Sequence, residues 1–147
     1  MLTEDDVVEA VCRHLEQNHY RIDSRCSTKE RGEDIVAVHE AGGFTLRIEA
    51  KGETSNQAGS SRYGKPFSGT QCRDHVANAL YAAAAMLAVE GSPDRVGIAL
   101  ADTRHHRRFI DRIDAALRRL EVLVFWVQQD HSVMKDQRYL GEAEATR

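Results

Sequence analysis

Apolar residues recur along this chain at two spacings, and the switches between them mark its elements. Val8, Val11, Cys12 and Leu15 fall at the i, i+3, i+4, i+7 interval of a buried helix face. Thr3 is a suitable N-cap, and Glu4, Asp5 and Asp6 favour the positive end of the helix dipole, so the pattern predicts a helix ending near Asn18. From Tyr20 the period shortens. "YRIDSRCS" (20–27) reads as a strand, "TKERG" (28–32) as a turn, "EDIVAVHE" (33–40) as a second strand and "AGG" (41–43) as a hairpin connection. In "FTLRIEAK" (44–51), Phe44, Leu46, Ile48 and Ala50 alternate with Thr45, Arg47, Glu49 and Lys51. That period of two predicts a third strand with its four polar side chains on one face.

The pattern then lapses over 52–69, "GETSNQAGSSRYGKPFSG", a connection long enough to be functional or disordered. "TQCRDHVANALYAAAAMLAVE" (70–90) predicts a helix whose alanines suit close packing on a sheet, stopped by Gly91, Ser92 and Pro93. "RVGIALA" (95–101) is apolar almost throughout, as in a strand covered on both faces. Asp102 or Thr103 caps a further helix with Phe109, Ile110, Ile113, Ala116, Leu117 and Leu120 on one face; "VLVFWVQ" (122–128) is a last strand, with Trp126 in the core. The segment after Gln129 carries little pattern. The order is αβββαβαβ, which predicts one α/β domain over residues 1–147 with a mixed sheet and helices on both faces.

Composition narrows the class. The chain has 147 residues, 41% hydrophobic and 29% charged, which is ordinary for a globular domain. No apolar run nears the ~20 residues that span a bilayer, and the acidic start lacks a secretory pattern. The expectation is a cytoplasmic protein with no membrane association. Cys12, Cys26 and Cys72 are too scattered for a disulfide framework or a common zinc motif and read as reduced thiols. A net charge of −3 excludes coating nucleic acid by bulk charge, but not a local basic surface.

The candidate chemistry lies on the third strand. A short hairpin sets the second strand beside it, so Asp34, at the head of the second strand, can approach Glu49 and Lys51, with the exact register left open by the sequence. Two converging carboxylates repel, and a hard divalent cation with oxygen ligands removes the conflict. A lysine on the same face can meet a phosphate oxygen or an attacking water, a set suited to phosphodiester hydrolysis. The plainer alternative is a pair of solvated charges at a strand end. Gln71, His75 and Asn78 form a polar stripe on the following helix.

Taken together, Glu9, "NHYRI", "GEDIVAV", "LRIEAKG" and Gln71, in that order, resemble the PD-(D/E)XK nuclease superfamily and, within it, the Holliday-junction-resolvase and Mrr-like branches. The resemblance implies a restriction-endonuclease-like αβββαβ core with a C-terminal helix-strand extension. It implies that Asp34 and Glu49, with the Ala50 carbonyl, ligate Mg2+ or Mn2+, and that Lys51 positions or activates the attacking water and stabilises the transition state. It gives Glu9 an accessory role near the metal and places Gln71 at the border of the site. Glu33 stands where the family name has proline, a departure that many members share.

Arg62, Lys65 and Arg73 are candidates for contact with a phosphate backbone, the first two in a loop that would become ordered on it; a plain flexible loop is the alternative. "TRHHRR" (103–108) puts positive charge at a helix N-terminus, against the dipole, where phosphate contact and an exposed helix face are the two explanations. The implied function is a metal-dependent endonuclease acting on DNA, with RNA also open. It would work as a homodimer or as a subunit of a larger complex. The competing class is a catalytically silent module of the same fold that binds nucleic acid or protein.

Overall fold

The computed structural model describes residues 1–26, 33–89 and 95–139. Helix α1 (Glu4–Gln17) precedes strands β1 (Tyr20–Arg25), β2 (Ile35–His39) and β3 (Thr45–Lys51). Helix α2 (Gly69–Leu87), strand β4 (Arg95–Ala101), helices α3 (Arg104–Arg112) and α4 (Asp114–Leu120), strands β5 (Leu123–Val127) and β6 (Val133–Lys135), and a 3-10 turn at Gln137–Tyr139 complete the order. The "TKERG" turn and the Gly91–Ser92–Pro93 stop lie outside the described residues.

The strands form one sheet in chain order, β1 to β6. β1, β2 and β3 run antiparallel, β3, β4 and β5 are parallel neighbours, and β6 returns antiparallel to β5. The sheet is therefore mixed, and the α/β expectation holds. Each face carries its own apolar core. α1 packs Val7, Val8, Val11, Cys12 and Leu15 onto Ile35, Ala37, Leu46, Ile48, Ala50, Ala99 and Phe125. On the opposite face α2, α3 and α4 pack Val76, Ala79, Ala83, Ile110 and Leu117 onto Val96, Ile98, Leu100, Val124 and Trp126. Covering on both faces explains the nearly unbroken apolar runs of β4 and β5.

Three details depart from the sequence pattern. The helix read through Phe109–Leu120 breaks at Ile113, where φ −111° and ψ 13° leave the helical range. Asp114 starts α4, accepting from Tyr139 Oη at 2.7 Å and pairing with Arg118, and Ala116 and Leu120 turn to solvent instead of joining the apolar face. Within the weakly patterned segment after Gln129, Val133–Lys135 pair with β5 as β6, and Asp136 just beyond is drawn in by Trp126 Nε1 at 2.9 Å; residues 140–147 lie outside the described residues. The patternless stretch at 52–68, open in the sequence between a functional and a disordered connection, is a loop folded on itself. Thr54 Oγ1 donates to Lys65 O at 2.8 Å, and Phe67 N–H donates to Glu53 O at 2.9 Å.

Candidate active site at the carboxylate edge of β3

β3 and β4 are parallel, with Lys51 opposite Leu100, so both strands end on the same edge of the sheet. The start of α1 rests on that edge. A Cβ built on Gly52 would lie 2.5 Å from the Glu4 amide nitrogen and 2.5 Å from the Thr3 carbonyl carbon, so only glycine admits this approach. Glu53 N–H donates to Leu2 O, and Leu2 N–H donates to Glu53 Oε1, each at 2.8 Å. Thr3 and Asp6 close a capping box that fixes the direction of the helix. The result is that Glu4, the first residue of α1, stands beside the end of β3.

Lys51 Nζ lies 3.2 Å from Glu49 Oε1 and 3.8 Å from Glu4 Oε2. Asp34 enters from the neighbouring strand. The Ile35–Ile48 pair sets the β2–β3 register, and one step further Asp34 faces Glu49. Its Oδ2 accepts the Ala50 N–H at 2.7 Å. Asp34 is 8% exposed, and the side chains of Glu49, Lys51 and Glu4 are 18%, 19% and 24% exposed. These groups are largely desolvated yet reachable from solvent.

Three carboxylates thus share one lysine. Burial pushes the Glu4 carboxyl up to about 7; Lys51 opposes this, while Asp34, Glu49 and Asp5 add to it. Burial likewise pushes Asp34 up to about 6, against the Ala50 N–H and with Glu49. For Lys51 burial works against the charge, but Glu4, Glu49 and Asp34 outweigh it and raise its pKa above the ordinary lysine value. Lys51 is therefore a firm ammonium at neutral pH, and the carboxylates around it are under-compensated.

A cleft of about 630 Å³ opens beside this edge, lined by Glu4, Asp5, Gly52, Asn56, Phe67 and His75 among others. His75 packs edge-on against Phe67, with ring centroids 4.6 Å apart. Burial, then His106 and Lys51, push its pKa down to about 4, so it is neutral. His106 is fully buried; its Nδ1 donates to Ala101 O at 2.8 Å, and its Nε2 has no hydrogen-bond partner among the described residues.

Asp34, Glu49 and Lys51 are brought together as the sequence suggested, and Ala50 lies among them through its N–H. Glu9 is not: it is on the exposed side of α1, and Glu4, one and a half turns earlier, occupies the place beside Lys51. Gln71 spends its side-chain oxygen on α2's capping box, accepting from Ser68 N–H at 2.9 Å, and on Arg62 at 3.3 Å. Arg62, Lys65 and Arg73 are exposed around the start of α2. Arg73 pairs with Asp74 at 3.3 Å. Sequence reasoning treated Glu4 only as a dipole-favouring acid and missed the His75–His106 pair. The signal for Glu4 was Gly52, a glycine directly after a strand that predicts close backbone approach.

No group of three His, Cys, Asp or Glu side chains among the described residues is arranged to hold a metal ion. Magnesium retains waters and is commonly held by one or two carboxylates, so Asp34 and Glu49 with their excess negative charge remain a chemically suitable donor set. Among the described residues no helix is long and apolar enough to cross a membrane. No family model, curated protein or solved structure matches the chain.

Proposed function

We propose that this chain is a divalent-metal-dependent endonuclease of the PD-(D/E)XK, restriction-endonuclease-like type that hydrolyses DNA phosphodiester bonds. The observation that carries the reading is the meeting of Asp34, Glu49 and Lys51 at one solvent-reachable sheet edge, with Lys51 3.2 Å from Glu49. The order helix, three strands, helix, strand, with a helix on either face of the sheet, supports it.

Asp34 and Glu49 would hold Mg2+ or Mn2+, which supplies charge neutralisation at the scissile phosphate. Lys51, held protonated by its carboxylate neighbours, acts as a fixed cation that attracts the phosphate and stabilises charge developing on its oxygens. Glu4, 3.8 Å from Lys51 and on the wall of the adjoining cleft, is a further carboxylate at this edge that could accept a proton from water. Cutting both strands of a duplex calls for two such sites, which a homodimer would supply.

The second reading, a silent module binding nucleic acid or a protein partner, is favoured by Lys51 spending its ammonium on Glu49 at 3.2 Å and Glu4 at 3.8 Å. The test is incubation of the protein with plasmid, linear, branched and single-stranded DNA and with RNA, each with Mg2+ or Mn2+. Cleavage of any DNA form supports the nuclease, and cleavage of RNA alone moves the substrate class. Binding without cleavage of any form selects the silent module.

A further inference from the structure

The exposed side of α3 holds a motif that the carboxylate edge does not use. Arg104, Arg108 and Arg112 are spaced i, i+4, i+8, so they form one stripe about 12 Å long, and all three are exposed. None makes an ion pair among the described residues. Their arginine neighbours are committed elsewhere. Arg107 is bonded to Asp102 at 2.7 and 2.8 Å and stacks on Trp126, Arg118 is paired with Asp114, and Arg138 with Asp136 and Asp111. His106 is buried. The basic run at 103–108 therefore divides into structural groups and an uncompensated remainder, which Arg112 extends.

Arg104 and Arg108 are unfavourable for the isolated helix, while Arg112 in the last turn suits the dipole. Like charges at i, i+4 repel, and Arg104 stands at the positive end of the dipole in a first turn with no acidic residue. Asp111 lines the shallow groove of about 650 Å³ with Arg104, His105 and Arg108, but its carboxylate accepts from Arg138 at 2.9 Å. The stripe also has a fixed relation to the carboxylate edge. α3 leaves the sheet where β4 ends, on the edge shared with Lys51. The α2 N-terminus abuts it there, a Cβ on Gly69 reaching 3.4 Å from the His105 ring. Arg62 and Arg73 sit around that same helix start.

We infer that Arg104, Arg108 and Arg112 form a nucleic-acid docking surface that holds the phosphate backbone of a strand whose neighbouring segment lies at the carboxylate edge. The stripe supplies affinity without sequence preference, since arginines spaced along an exposed helix meet phosphates rather than base edges. This inference rests on the nuclease reading and names the surface through which that site grips its substrate.

The test is fluorescence anisotropy of a labelled 20-base-pair duplex with Ca2+ in place of Mg2+, over a range of salt. Wild type is compared with an Arg104→Gln/Arg108→Gln/Arg112→Gln variant. A charge-matched control carries Arg21→Gln, Arg25→Gln and Arg118→Gln, exposed arginines that already have acidic partners. The stripe variant should bind at least about tenfold more weakly near 0.1 M salt. The slope of log K against log salt should fall by about one unit per arginine removed, while the control stays near wild type. Equal affinity and slope in wild type and stripe variant overturn the inference and leave the nuclease reading standing. The same holds if the substitutions abolish binding to anionic vesicles but not to the duplex. Wild type that binds neither this duplex nor a labelled branched or single-stranded DNA at any salt overturns both.

Discussion

Gly52 is packed against the backbone of Glu4 so closely that the end of β3 and the start of α1 behave as one unit. The contact is backbone on backbone, at 2.5 Å from a built Cβ, so no side-chain rotation relieves a substitution. Gly52→Ala must push α1 away from the strand end and carry Glu4 off Lys51. The expected loss is on the order of 3 kcal/mol, at the upper end of overpacking effects. Urea unfolding measures it; a variant within about 0.5 kcal/mol of wild type would show that the helix start yields freely.

The carboxylate edge and the His75–His106 pair oppose each other in acid. Glu4 and Asp34 have folded-state pKa values raised to about 7 and about 6, from 4.5 and 3.8. The folded chain keeps those protons longer than the unfolded one, so stability falls as pH rises through this window. His75 is lowered to about 4 from 6.5. The unfolded chain takes that proton first, so its contribution is lost as pH falls from 6.5 toward 4.

Glu4→Gln removes one of the crowded charges while keeping the shape. Without divalent ions it should raise Tm at pH 8 by about 2–4 °C, corresponding to on the order of 1 kcal/mol, and give no gain at pH 4.5. Thermal melts at the two pH values decide the point. A variant less stable than wild type at pH 8 would mean that the Lys51–Glu4 pair outweighs the crowding.

Trp126 is fully buried and its indole N–H donates to Asp136, which is itself 7% exposed. Asp136→Ala leaves that donor buried without a partner, with an expected loss of about 1–3 kcal/mol. The single tryptophan makes its fluorescence a direct reporter of unfolding. Asp136→Asn, which keeps an acceptor oxygen, should recover most of the loss; equal loss in both variants would assign the effect to the Arg138 pair instead.

The first two helices, the five longer strands and the nearness of Asp34 to Glu49 and Lys51 were legible because each rests on local periodicity or a short hairpin connection, whereas the exact β2–β3 register was not. The α3–α4 break was hidden because Ile113 continues the apolar stripe while Asp114 is recruited by Tyr139, a residue far along the chain. β6 was hidden for the same reason, since its anchor is a side-chain bond to Trp126. Glu4 shows the limit at the candidate site. Glu9 and Glu4 are both acidic positions on one helix, and only the packing of α1 on Gly52 determines which of them meets Lys51.

The proposed role of Lys51 is to stabilise phosphodiester cleavage at the edge where Asp34 and Glu49 would hold the metal. The most direct measurement is single-turnover cleavage of plasmid DNA with Mn2+, with Mn2+ affinity measured on the same preparations, for wild type, Lys51→Ala and Asp34→Asn. Lys51→Ala should still bind Mn2+ yet cleave at least about 10²-fold more slowly, and Asp34→Asn should lose both metal affinity and cleavage. Cleavage by Lys51→Ala at the wild-type rate, or Mn2+ affinity unchanged in Asp34→Asn, would rule out the proposed nuclease site.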